Sequence, residues 1–71
     1  MRLTPPQRRV IETLTAAVAY QWDRAPEIGA LCLAAYVTPR TIYALEARGQ
    51  VETGQANGLT YVRLKLGTEA R

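Results

Sequence analysis

The segment from Thr38 to Arg48 carries Arg40, Thr41, Tyr43 and Ala44 between its ends, and Tyr61, Arg63 and Lys65 alternate with apolar residues further on. These residue types suit contact with a phosphate backbone and with base edges. A guanidinium forks onto phosphates and guanine. The hydroxyls of Thr38 and Thr41 can donate to phosphates beside the free amides of a helix start. Bond-breaking chemistry has much less to work with. The chain has no histidine, one cysteine and six scattered carboxylates. A zinc site built by the protein needs more nitrogen and sulfur ligands than that. Gly54 and Gly58 sit in a hairpin pattern rather than in a phosphate loop between strand and helix. No catalytic group, cofactor, metal or small-molecule ligand is expected, and the chain reads as a non-enzyme.

Cys32 stands in an apolar stretch and reads as a small core residue rather than a reactive thiol. Among the nine basic residues only Lys65 is a lysine, and the net charge is +3. That balance permits nucleic-acid binding without demanding it, and the arginine and alanine content fits a GC-rich coding sequence equally well. No apolar run reaches the ~20 residues of a membrane span. No charged-then-apolar leader opens the chain, so a cytoplasmic location is expected.

Three helices and a hairpin must position these groups. Thr4 caps the first helix, Pro5 and Pro6 fit its first turn, and Leu3 can pack back near Val10. Val10, Ile11, Leu14, Val18 and Trp22 recur at helical spacing, giving one long helix over about 5–22. Arg8, Glu12, Ala16, Ala19 and Asp23 fall on its outer side. Trp22 reads as a core anchor, and Arg8 and Arg9 as solvated side chains. Tyr20 with Ala16 and Ala19 forms a weak candidate contact surface. The second helix runs from Pro26 or Glu27 to Ala35, with Glu27 suiting its dipole. Tyr36 and Val37 form a turn in which Val37 is buried.

Thr38 caps the third helix, Pro39 takes its first position and Gly49 its left-handed end. At 100° per residue Ile42, Leu45 and Glu46 share one side, while Arg40, Tyr43, Ala44 and Ala47 share the other. Two alanines on that outer side allow close groove entry, or simply make a good plain helix surface. The remaining segment is a hairpin turning at Asn57-Gly58. Its register pairs Val51 with Leu64, Thr53 with Val62, Glu52 with Arg63 and Ala56 with Leu59. Thr60, Val62, Leu64 and Leu66 then face inward, and Tyr61, Arg63 and Lys65 outward. Arg63 has two readings, a phosphate contact or a pair with Glu52. Tyr61 likewise serves the interface or covers Gly54.

The ungapped run Ile28-Gly29, Leu31-Cys32, Val37 to Ile42, Glu46 and Gly49 resembles the DNA-binding head of MerR-type regulators. It covers about a third of the chain. Where that family carries Arg-Tyr-Tyr after the isoleucine, this chain has Tyr43, Ala44 and Leu45, and the family's long dimerisation helix has no counterpart. Leu3-Thr4-Pro5 with Gln7-Arg8 and Val10-Ile11 resembles the opening helix of winged-helix repressors of the LexA type. Together the resemblances imply a mainly α winged helix-turn-helix. Three helices would precede a two-stranded wing in one domain, with the helix-turn-helix at about 27–48, the wing at about 50–66 and a frayed tail at 67–71. They imply a small regulator or excisionase-like accessory factor for double-stranded DNA. Thr38, Arg40, Thr41, Tyr43, Ala44 and Arg48 would meet the major groove, and Tyr61, Arg63 and Lys65 the backbone. A homodimer through the first helix is compatible with this. The alternative expectation is a winged-helix module for protein contact. The expected core is Ile11, Leu14, Val18, Ile28, Leu31, Val37, Ile42, Leu45, Val51, Val62 and Leu64.

Overall fold

The computed structural model describes residues 2–65. The expected frayed tail at 67–71 and the inward placement of Leu66 lie outside the described residues. Within them are three helices, α1 (Pro5–Ala16), α2 (Ile28–Ala35) and α3 (Pro39–Ala47), followed by an antiparallel hairpin of β1 (Val51–Ala56) and β2 (Leu59–Leu64). A short 3₁₀ turn, Trp22–Arg24, interrupts the α1–α2 connection. The chain is therefore mainly α with a small β wing.

Thr4 begins α1 with a complete capping box. Its Oγ1 accepts from the Gln7 amide at 3.3 Å, and its own amide donates to Gln7 Oε1 at 3.1 Å. Pro5 and Pro6 carry no amide hydrogen, so the box satisfies both of the donors that this helix start leaves free.

The three helices close alike. Val18, Tyr36 and Gly49 each adopt a left-handed conformation, with φ of 52°, 56° and 77°. The amide after each reaches back to a carbonyl five residues earlier, Ala19 to Leu14, Val37 to Cys32 and Gln50 to Leu45. This is the Schellman closure, in which glycine is the usual left-handed residue. Only Gly49 follows that rule.

Val18 therefore ends α1 after Ala16, six residues before the expected limit at 22. Two corrections follow. Val18 is 51% exposed instead of buried, and Ala19, assigned to the outer side, is fully buried. Tertiary bonding explains the stop. Ala19 O accepts from the Leu64 amide at 2.8 Å, and Pro26 O from Val62 at 2.9 Å. A lone antiparallel bridge joins Glu27 to Tyr61. The outer edge of β2 is thus hydrogen-bonded by the α1–α2 connection, which a longer α1 would not allow.

The hairpin has the expected register, Val51 to Leu64 through Ala56 to Leu59, with Asn57 and Gly58 at positive φ as a type I′ turn requires. One core gathers Val10, Leu14, Ala19, Leu31, Ala35, Ile42, Leu45, Val51, Val62 and Leu64, with Leu3, Ile11, Tyr20, Ile28, Cys32 and Val37 packed on it. Among the described residues no single helix is long and apolar enough to cross a membrane.

Candidate nucleic-acid interface

The chain turns through 104° between α2 and α3 across three residues, Tyr36 to Thr38. Helix-turn-helix units meet at about 90–120°. Two features fix that angle. Ile42 and Leu45 bury the inner side of α3 completely. Arg9, expected to be solvated, reaches across from α1 and donates from Nε to Ala35 O at 2.8 Å and from Nη2 to Tyr36 O at 3.1 Å. A cation on the last carbonyls of α2 is favoured by the helix dipole as well as by the hydrogen bonds. Nothing in the local sequence marks Arg9 for this role, because its partners lie 26 and 27 residues away.

At its own start, α2 is held by Glu27, whose Oε1 accepts from the Ala30 amide at 3.2 Å. Glu27 is the N-cap itself, one position earlier than a first-turn residue. Burial, and then the Glu27 charge, push the Cys32 thiol above its usual range. A raised thiol pKa leaves little thiolate to react.

With its inner side buried, α3 presents Arg40, Tyr43 and Ala47 to solvent, and Ala44 half-exposed between them. Arg40 makes no hydrogen bond or ion pair with any described residue. Thr38 occupies the cap position, but its hydroxyl makes no capping bond; instead its carbonyl accepts from the Thr41 amide at 3.0 Å. The Thr38 hydroxyl is therefore available to an outside acceptor. Thr41 is half-buried. Arg48, at the far end, makes one long contact of 3.5 Å with Gln7 Oε1. On α2 and in the turn, Leu33 and Tyr36 are 80% and 84% exposed.

The wing divides the other three expected residues. Lys65 is exposed just beyond β2. Arg63 is not presented outward. Its Nη2 pairs with Glu52 Oε1 at 2.5 Å, its Nη1 donates to Tyr20 O at 2.8 Å, and its Cζ lies 4.9 Å from the centre of the Trp22 ring. Its Nε is buried without an acceptor among the described residues. Tyr61 is half-buried beside the 3₁₀ turn.

The cause is Trp22, which lies on the outer face of the hairpin and not in the core, 44% exposed. A Cβ at Gly54 would meet the indole at 2.9 Å. The cover over Gly54 is therefore Trp22, not Tyr61. The register already showed a bare position opposite Tyr61; what it could not show was which aromatic would reach it.

Glu46 supplies a link that the helical spacing placed only on the inner side. Its Oε2 accepts from both the Thr53 amide, at 3.2 Å, and the Thr53 hydroxyl, at 2.8 Å, joining α3 to the free edge of β1. Among the described residues no three His, Cys, Asp or Glu side chains come together to hold a metal ion. No protein-family profile, curated protein or solved structure matches this chain.

Proposed function

We propose that this chain binds duplex DNA without catalysis, with α3 in the major groove and the wing, through Lys65 just beyond β2, beside the backbone. The observation that carries the reading is the state of the α3 start. Arg40 has no partner among the described residues, the Thr38 hydroxyl makes no cap bond, and both stand at the exposed N-terminal end of a helix whose other side is packed. Groove-reading residues usually project from that end of a second helix set at this angle. Ala44 and Ala47 add no bulk between helix and groove. Lys65 supplies the phosphate contact beside it, and Arg48 closes the far end of the helix. Arg63 is left out of this interface, because its guanidinium already serves Glu52, Tyr20 and Trp22.

The test is fluorescence anisotropy of labelled random duplex DNA over a salt series. Binding should weaken steeply with salt, because each neutralised phosphate releases condensed counterions at a slope of about −0.9 per contact. Absence of binding at low salt rejects the reading. A protein-contact module then takes its place, favoured by the exposed Leu33 and Tyr36. Leu33 on α2 and Tyr36 in the turn after it would supply the apolar contacts of such a module.

A further inference from the structure

A cleft of about 640 Å³ lies between the 3₁₀ turn and the outer face of the hairpin, lined by Trp22, Asp23, Ala25, the β1 residues Gly54 to Ala56, and Tyr61. None of its walls belongs to α2 or α3. We propose that this cleft receives a basic side chain, arginine or lysine, of a partner protein.

Two independent features point to a cationic occupant. The walls include two aromatic rings, whose faces attract cations. Trp22 is already used in that way by Arg63, 4.9 Å from its ring centre, yet 44% of the residue stays open. The one charged residue among those lining the cleft is Asp23, an exposed carboxylate with no hydrogen bond or ion pair to any described residue. The surroundings do not cancel it. Glu52 and Arg63 neutralise each other, the Glu27 carboxylate is turned to the Ala30 amide at the start of α2, and Arg24 does not line the cleft. The lining of the cleft thus carries one carboxylate, no cation and two aromatic rings, in a chain of net charge +3. Anionic DNA is the wrong occupant for it.

The cleft is also built rather than incidental. Val18 holds a left-handed conformation that is unusual for a β-branched residue and that directs the chain onto the hairpin. Gly54 leaves room for the indole where any other side chain would collide with it. Size and position favour a peptide over a free small cation. The volume exceeds that of one side chain, and the floor follows three successive residues of an extended strand.

Trp22 is the only tryptophan, so its emission reports the cleft alone. The experiment titrates the protein with acetyl-Gly-Arg-Gly-amide and with the citrulline analogue, a neutral isostere of arginine. The arginine peptide should change the emission saturably and bind about tenfold more tightly than the citrulline peptide, the scale of a desolvated cation–π contact. Asp23→Asn should remove most of that preference while duplex DNA binding stays unchanged, which separates this site from the α3 interface. Equal responses to the two peptides, or no saturation by either, overturn the proposal. So does tighter saturation by choline, which would assign the cleft to free small cations. Quenching by a single-stranded oligonucleotide that strengthens in Asp23→Asn would overturn it in favour of an unpaired base.

Discussion

Arg40 and Arg63 are the same side chain in opposite circumstances, and substitutions should tell them apart. Arg40→Ala removes nothing that holds the fold. If the DNA reading is right, it should cost about 1–3 kcal/mol of affinity for a preferred sequence and relax the preference, as loss of a bidentate guanine contact does. Lys65→Ala should weaken all duplexes alike and lower the salt slope by about one. Arg63→Ala should leave the slope untouched and lower stability by about 1–2 kcal/mol in urea, the scale of a part-buried pair with one exposed partner. An Arg63→Ala variant that loses a unit of salt slope would return Arg63 to the interface. The Glu52–Arg63 pair was legible from the hairpin register alone. The Trp22 contact was not, because it depends on where α1 stops, and Val18 gives no local sign of stopping it. Val18→Gly should therefore stabilise the domain by about 0.5–1 kcal/mol. Relief of the left-handed conformation outweighs the added freedom of the unfolded chain. A lower denaturation midpoint would show that the valine side chain contributes more than its half-exposure implies.

The elements with local signals came out as the sequence reads. Pro39 opens α3, Gly49 closes it, and Asn57-Gly58 turns the hairpin in the expected register. Each of these depends on backbone preferences of one or two residues. The boundary that shifted depends on bonds between distant segments. α1 yields at Ala17 because the next residues hydrogen-bond to β2, whereas α2 ends at the expected Ala35, where Arg9 holds its last carbonyls. The capping box follows from the Thr4-x-x-Gln7 spacing, which is also a local signal. Glu46 ties the helix proposed for the groove to the wing, and the same bonds occupy part of the open edge of β1 that could pair with another chain. Glu46→Ala should cost about 1–3 kcal/mol by orphaning the Thr53 donors. Amide exchange at Thr53 should quicken more than exchange within α1. Unchanged protection at Thr53 would mean that the wing holds its place without the helix.

The three helices and both strands close on one core, so the molecule should unfold as one unit. A domain of 71 residues has about 4–11 kcal/mol of stability at typical values per residue. Ile42 is fully buried, and Ile42→Ala should remove about 2–5 kcal/mol of it. Trp22 emission and far-ultraviolet dichroism should then shift to the same lower midpoint; separate transitions would mean that the hairpin and the helices are independent. The stitching of the α1–α2 connection to β2 also bears on how the chain is born. Arg63 meets Tyr20 across 43 residues. At a synthesis rate of about 5–20 residues per second, a nascent Tyr20 waits roughly 2–9 seconds for that partner. During that interval α2 and α3 are made in turn with no β2 yet to cover their apolar sides, which makes the end of it, just before β2 arrives, the stage at which a chaperone would have most to hold.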